Sequence, residues 1–132
     1  MPTTALDHVN ILTDDLAATI AFYETVVELK AGESPGAAYG YKGAWMLDPA
    51  GHALVHLVWN DPEKALGAGR QPGASTNAVH HIAFSCTGFA AAKERLDGLG
   101  IEHRINDGML GLRQIMAEDP NGVTIEMNFH GD

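Results

Sequence analysis

The fold of this chain is decided by a repeated segment, whose more specific copy is DPNGVTIEM at residues 119–127. The Asp-Pro-Asn-Gly letters predict a tight turn, and the apolar residues that follow predict a strand with Glu126 near its middle. The same arrangement occurs earlier as DPAGHALVHL at residues 48–57, where His56 replaces the carboxylate. Two copies of one turn–strand unit indicate that the chain consists of two related halves.

A second repeated piece lies upstream of each copy. DHVNI at residues 7–11 and HHIAF at residues 80–84 each read as a strand that leads into an amphipathic helical stretch. His8 and His81 are 73 residues apart, and His56 and Glu126 are 70 apart. Strand, helix and three strands therefore occur twice, which favours an α+β fold over a doubly wound parallel sheet.

The predicted boundaries follow from turn residues and apolar spacing. We expect two modules, 1–60 and 79–132, joined by a Gly- and Pro-rich linker at 61–78, with a loop at 106–111 beside the site. The first helix is predicted to start at Thr13-Asp14-Asp15 and to end near Glu28, and the second to present Phe89, Ala92, Leu96 and Leu99 and to end at Gly100. The predicted strands are 6–12, 29–33, 39–47, 53–60, 79–86, 101–105, 112–117 and 123–129.

Composition narrows the classes of function. The 132 residues are 45% hydrophobic, with a formal charge of −9, which opposes binding to nucleic acid or to anionic membranes. The single cysteine, Cys86, excludes an intrachain disulfide and a cysteine-based zinc site, and a buried thiol is expected. The N-terminal residues do not resemble a secretory signal, so a cytoplasmic location is expected.

The repeated positions gather side chains that bind metals. A lone histidine on a strand is more often structural than a ligand. Corresponding placement of His8 with His81, and of His56 with Glu126, instead predicts a metal centre. Nitrogen and oxygen donors without thiolates suit Fe(II), Mn(II), Ni(II), Co(II) or Zn(II). His80 has the opposite strand parity and is not expected to share this site.

These residues resemble the vicinal oxygen chelate superfamily, also called the glyoxalase/bleomycin-resistance/dioxygenase fold. The resemblance rests on LDHV (6–9), AFY (21–23), ALVHL (53–57), HHIA (80–83) and EDPNGVTIE (118–126). It implies two βαβββ modules forming an open, U-shaped mixed-sheet barrel around a divalent metal. It also implies that the ligands are His8, His56, His81 and Glu126, and that the protein is a homodimer.

Several functions remain open within this resemblance. Glyoxalase I enzymes carry Glu where this chain has His56, so the first hypothesis is a metal-dependent lyase, isomerase or epimerase on a small oxygenated substrate. Glu126 or His56 would be its base, and Arg113 and Gln114 would orient substrate oxygens. The alternatives are an Fe(II)- or Mn(II)-dependent extradiol-type dioxygenase using His8, His81 and Glu126, and a non-catalytic protein that binds a drug or another aromatic ligand.

Overall fold

Two modules with the same order of elements make up the chain. The computed structural model describes residues 2–64, 71–73, 75–108 and 111–131. The first module contains β1 (Val9–Thr13), α1 (Leu16–Thr25), β2 (Lys30–Glu33), a 3-10 helix (Pro35–Tyr39), β3 (Gly43–Leu47) and β4 (Ala53–Trp59). The second contains β5 (Ile82–Cys86), α2 (Phe89–Leu99), β6 (Arg104–Asp107), β7 (Arg113–Glu118) and β8 (Thr124–Phe129).

Each module forms a four-stranded mixed sheet. The strand orders are β1-β4-β3-β2 and β5-β8-β7-β6. The first strand of each module pairs parallel to the last, and the other pairs are antiparallel. The sheets remain open at their edges instead of closing into a barrel. The predicted α+β fold with two βαβββ modules is therefore confirmed.

The helices begin and end where local chemistry requires. The carboxylate of Asp15 accepts a hydrogen bond from Ala18 N at 3.0 Å and caps α1. That helix ends at Thr25, earlier than predicted, because Glu28 already adopts a positive φ of 61°. Gly100, with φ of 67°, ends α2 as predicted. The prediction that Leu99 belongs to the buried face of α2 is wrong, because this residue is 52% exposed.

Some predicted strands were too long, for local reasons. The first strand of each module, β1 or β5, begins at Val9 or Ile82, so His8 and His81 lie immediately before these strands. Residues 35–39 form a 3-10 helix, with Ser34 Oγ accepting from Gly36 N at 3.3 Å, which delays β3 to Gly43. Residues 101–103 precede β6 because the turn that ends α2 includes Ile101, whose N–H donates to Leu96 O.

A single core joins the modules. Alternate residues of both sheets point towards the helices, and the core cluster includes Ile11, Val55, Leu57, Ile115 and Met127. We call the opposite face of each sheet its open face. Cys86 is half-buried, and burial raises the pKa of its thiol.

A buried polar network connects the second turn to α1. The hydroxyl of Tyr23 donates to Asp119 Oδ2 at 2.8 Å, and Asn121 Nδ2 donates to Thr19 Oγ1 at 3.1 Å. All four residues are buried, and the Asp119 carboxylate also accepts from Asn121 N and Val123 N. The first copy of the turn differs, because Asp48 bonds within its own turn at the surface.

The predicted linker and loop are described only in part. Residues 65–70 and 74 of the linker, and 109–110 of the loop, lie outside the described residues. Asn106 and Asp107, assigned to the loop, instead belong to β6. Within the described ranges, neither helix has the length and apolar character needed to cross a bilayer.

Candidate metal centre

The open face of the first sheet carries two of the four predicted ligands. His56 on β4 is in register with Asn10 on β1 and with Trp45 on β3. The ring centroids of His8 and His56 are 6.2 Å apart, and Trp45 lies 6.1 Å from His8 and 5.6 Å from His56. The structure thus brings the first-module histidines together beside an indole.

Both ring nitrogens of His56 have partners. Asn10 Nδ2 lies 3.4 Å from Nδ1, and Ser34 Oγ lies 3.0 Å from Nε2. If the amide N–H of Asn10 donates to Nδ1, the ring proton is on Nε2 and is donated to Ser34. Burial, and secondarily the neighbouring His8, lower the pKa of His56, which keeps its imidazole neutral at neutral pH.

His8 is oriented by the residue before it. Its Nδ1 lies 2.7 Å from Asp7 Oδ2, so Nδ1 carries the proton that the carboxylate accepts, and in the neutral ring Nε2 has the free lone pair. A carboxylate on the far nitrogen is a common arrangement for histidines that bind metals. His8 is therefore in the tautomer that a ligand needs.

The second sheet brings together the other two predicted ligands. His81 Nε2 lies 3.7 Å from Glu126 Oε2, and Asn128 Nδ2 donates to that same oxygen at 3.1 Å. The Glu126 side chain is only 12% exposed. His80 Nδ1 lies 2.8 Å from His81 Nδ1, so His80 contacts a predicted ligand, and its exclusion from the site stays a prediction. Both histidines precede the regular strand, so strand parity does not separate them.

A row of amides crosses the same open face. Asn106 Nδ2 donates to Gln114 Oε1 at 3.0 Å, and Gln114 Nε2 donates to Asn128 Oδ1 at 2.8 Å. Register pairs Asn106 with Gln114 and Gln114 with Asn128. The predicted residue Gln114 therefore lies on the same face as Glu126, two residues away along the row.

Arg113 lies elsewhere. Its guanidinium is 4.1 Å from the Phe89 ring centroid of α2, and it also pairs with Asp107 at 3.3 Å. Neighbouring residues of a strand point to opposite faces, so Arg113 packs on the helix side while Gln114 faces the site. The predicted substrate-binding role of Arg113 gains no support from this position.

The four predicted ligands form two pairs within one chain. His8 lies with His56, and His81 lies with Glu126. Across the described residues, no group of three or more His, Cys, Asp or Glu side chains is placed to hold a metal ion. The convergence of all four on one metal ion therefore stays a prediction.

Sequence reasoning missed several neighbours of these residues. Asn10 and Asn128 share strand faces with His8 and Glu126, and that parity was a usable signal. Ser34 and Asn106 carried no such signal, because each meets its partner only through the folding of a different strand.

The comparisons with known proteins agree with this architecture. The sequence model of the Glyoxalase/Bleomycin resistance protein/Dioxygenase superfamily matches residues 5–127. The Arabidopsis thaliana protein Glyoxylase I 4 is 26% identical over 129 residues, which cover 94% of this chain and 70% of that protein.

Solved structures share the fold at low identity. A putative glyoxalase family protein from Bacillus anthracis aligns with a TM-score of 0.72 at 19% identity, covering 96% of this chain and 95% of that one. The fosfomycin resistance protein FosX from Listeria monocytogenes, in complex with Mn(II) and sulfate, aligns with a TM-score of 0.65 at 19% identity, covering 96% and 93%.

Paired βαβββ modules with histidines and a carboxylate on their open faces define a glyoxalase-like protein. The chain belongs to the Glyoxalase/Bleomycin resistance protein/Dioxygenase superfamily.

Proposed function

We propose that this protein is a divalent-metal-dependent enzyme that acts as a lyase, isomerase or epimerase on a small oxygenated substrate. The observation that supports a metal most directly is the state of Glu126. Its side chain is 12% exposed, yet in the described structure its carboxylate accepts one hydrogen bond and otherwise faces His81 Nε2 at 3.7 Å. A largely buried carboxylate with a single hydrogen bond is well placed to accept a cationic partner. The nitrogen and oxygen donors nearby suit Fe, Mn, Ni, Co or Zn.

We propose further that the metal centre is completed in a homodimer. One chain offers a first-module pair and a second-module pair, and its described residues gather no three ligands. A twofold axis can bring the first-module pair of one protomer to the second-module pair of its partner, and symmetry then produces two equal sites. His8 of one subunit would join His81 and Glu126 of the other.

A divalent cation held by these residues would act as a Lewis acid towards neighbouring oxygens of the substrate. His56 is the proposed general base. Ser34 holds the ring proton on Nε2, and Nδ1, with only a long contact of 3.4 Å to Asn10, accepts the proton from the substrate carbon. In an isomerase, the same nitrogen returns that proton to a neighbouring carbon of the substrate, whereas an epimerase would need a second acid on the opposite face of the substrate. The Ser34 contact at Nε2 leaves Nδ1 as the nitrogen of His56 that would act as the base.

The metal is tested by titrating the metal-free protein with Mn(II), Co(II), Ni(II) and Zn(II), and by elemental analysis. We expect Glu126→Gln to weaken binding at least about 10-fold, because a neutral amide replaces a charged ligand. Glu94→Gln, on the exposed surface of α2, is the matched control and should bind as the wild type does. Equal affinities in Glu126→Gln and wild type would contradict the assignment.

The shared site is tested by mixing His8→Ala and Glu126→Gln proteins after dissociation. In a shared site, each mixed dimer contains one centre with both native residues, so about a quarter of the wild-type sites reappear. No recovery would place the site within one chain. Oxygen uptake with catechols would instead indicate a dioxygenase, and tight binding of an aromatic drug without metal would indicate a binding protein.

A further inference from the structure

The amide row on the second sheet has a direction. Three side chains, from Asn106 through Gln114 to Asn128, end on the Glu126 carboxylate, with donor–acceptor distances of 3.0, 2.8 and 3.1 Å. Each amide offers its N–H to the next acceptor towards Glu126. Asn106, Gln114 and Asn128 are all half-buried, so the contacts are partly protected from water.

The carboxylate dictates this direction. An ionised carboxylate only accepts hydrogen bonds, so Asn128 has to present its NH₂ group to Glu126. The Asn128 oxygen then faces Gln114, which has to donate, and the Gln114 oxygen faces Asn106, which has to donate in turn. Reversing one amide alone would oppose two oxygens or two NH₂ groups, so the orientations are coupled.

We propose that Asn106, Gln114 and Asn128 form a hydrogen-bonded relay that positions the Glu126 carboxylate for metal binding. These three are positioning residues, and the inference rests on the proposed metal centre. It also revises the expectation for Gln114. Both ends of its amide are engaged within the sheet, so it acts on Glu126 through Asn128 instead of binding substrate oxygens directly.

Asn106→Asp tests the relay because charge and orientation predict opposite results. The new carboxylate only accepts, so Gln114 has to turn its NH₂ group towards residue 106. Asn128 then turns as well and brings its oxygen against Glu126. Mutation of a residue that hydrogen-bonds to a metal ligand typically lowers metal affinity about 10- to 100-fold, and we expect Asn106→Asp to lower the affinity for Mn(II) about 10-fold. Charge alone would strengthen cation binding, since the substitution adds a negative charge to the same face.

Arg104→Gln is the matched control. It lies on the same strand and face as Asn106, is exposed, and makes the local charge more negative by one unit without a contact to the relay. We expect unchanged or slightly tighter binding of Mn(II). Asn106→Ala should also stay close to wild type, because water can donate to the Gln114 oxygen without reversing it. Isothermal titration with Mn(II) measures all three variants.

A second measurement needs no metal. In the metal-free protein, the side-chain NH₂ resonances of Gln114 and Asn128 should shift in Asn106→Asp and remain in place in Arg104→Gln. If Asn106→Asp binds Mn(II) as Arg104→Gln does, or leaves the Asn128 resonances unmoved, the relay is refuted. If the wild type binds no divalent cation, the proposed function fails while the NMR result still decides whether the relay exists.

Discussion

Replacing Tyr23 with phenylalanine tests whether the buried polar network holds the two modules together. The hydroxyl of Tyr23 donates to Asp119 Oδ2 at 2.8 Å, with Tyr23 fully buried and Asp119 5% exposed. A hydrogen bond to a charged group contributes about 1.5–3 kcal/mol, so we expect a loss of about 2 kcal/mol in the free energy of unfolding. For a chain of this length that corresponds to a decrease of about 8 °C in Tm.

Thermal and urea unfolding followed by circular dichroism measure this effect. Tyr41→Phe is the matched control, because Tyr41 is partly exposed and its ring, the part that contacts Lys64, is kept. The control should unfold as the wild type does. If Tyr23→Phe and Tyr41→Phe have the same Tm within error, the network does not stabilise the module junction and the reasoning fails.

The same substitution has a pH signature. Burial, followed by the charge of Asp119 and the hydrogen bond to it, raises the pKa of Tyr23 far above its ordinary value of 10.0. The phenol therefore stays protonated in the folded protein, while the unfolded chain loses that proton above about pH 10. Ionisation of the unfolded chain lowers the stability of the wild type but not of Tyr23→Phe. The difference in the free energy of unfolding between the wild type and Tyr23→Phe should therefore become smaller above this pH.

Three further substitutions and one NMR titration test the packing, the protonation of His56 and the position of Arg113. A Cβ at Gly43 would lie 2.2 Å from Leu57 O, so Gly43→Ala should lower the free energy of unfolding by about 2 kcal/mol or more. A Cβ at Gly98 would meet open space on an exposed helix, so Gly98→Ala should raise the free energy of unfolding by about 0.5–1 kcal/mol. Changes of the same sign in the two variants would contradict this reasoning. In an NMR titration of the metal-free protein, His56 should protonate below its ordinary pKa of 6.5, and protonation at or above that value would exclude burial as the controlling effect. Arg113→Ala should cost about 1 kcal/mol of stability through its lost ring contact and leave Mn(II) affinity unchanged, and weakened metal binding would return Arg113 to the site.

The repeated turn and strand were enough to predict the module order, because a Pro-Gly turn followed by alternating apolar residues is local information. The same locality explains the errors. The early end of α1 depends on the positive φ of Glu28, and the loss of strand before Gly43 depends on a 3-10 helix that Ser34 caps. Both features are backbone conformations of a few neighbouring residues, which the spacing of apolar residues does not report.

The candidate site shows the same division. Arg113 and Gln114 were predicted together, although strand parity allows only one of two neighbouring residues to share the face of Glu126, and Gln114 is that residue. Parity placed Asn10 on the face of His8, but its contact with His56 depends on the register between β1 and β4. Ser34 lies between β2 and the 3-10 helix, and no sequence pattern indicated that it would reach His56 on β4. The sequence likewise named four potential ligands without indicating that one chain would gather them as two separate pairs.

The asymmetry of the two turns makes the halves of this duplicated protein non-interchangeable. β1 and α1 are each followed by their counterpart 73 residues later, so Thr19 and Tyr23 correspond to Ala92 and Leu96 on α2. Packed against those apolar side chains, Asp119 would be a buried charge without a hydrogen-bond donor from the helix. Two copies of the second module therefore could not pack together as stably as the two different modules of this chain do. Each half therefore depends on side chains that only the other half supplies.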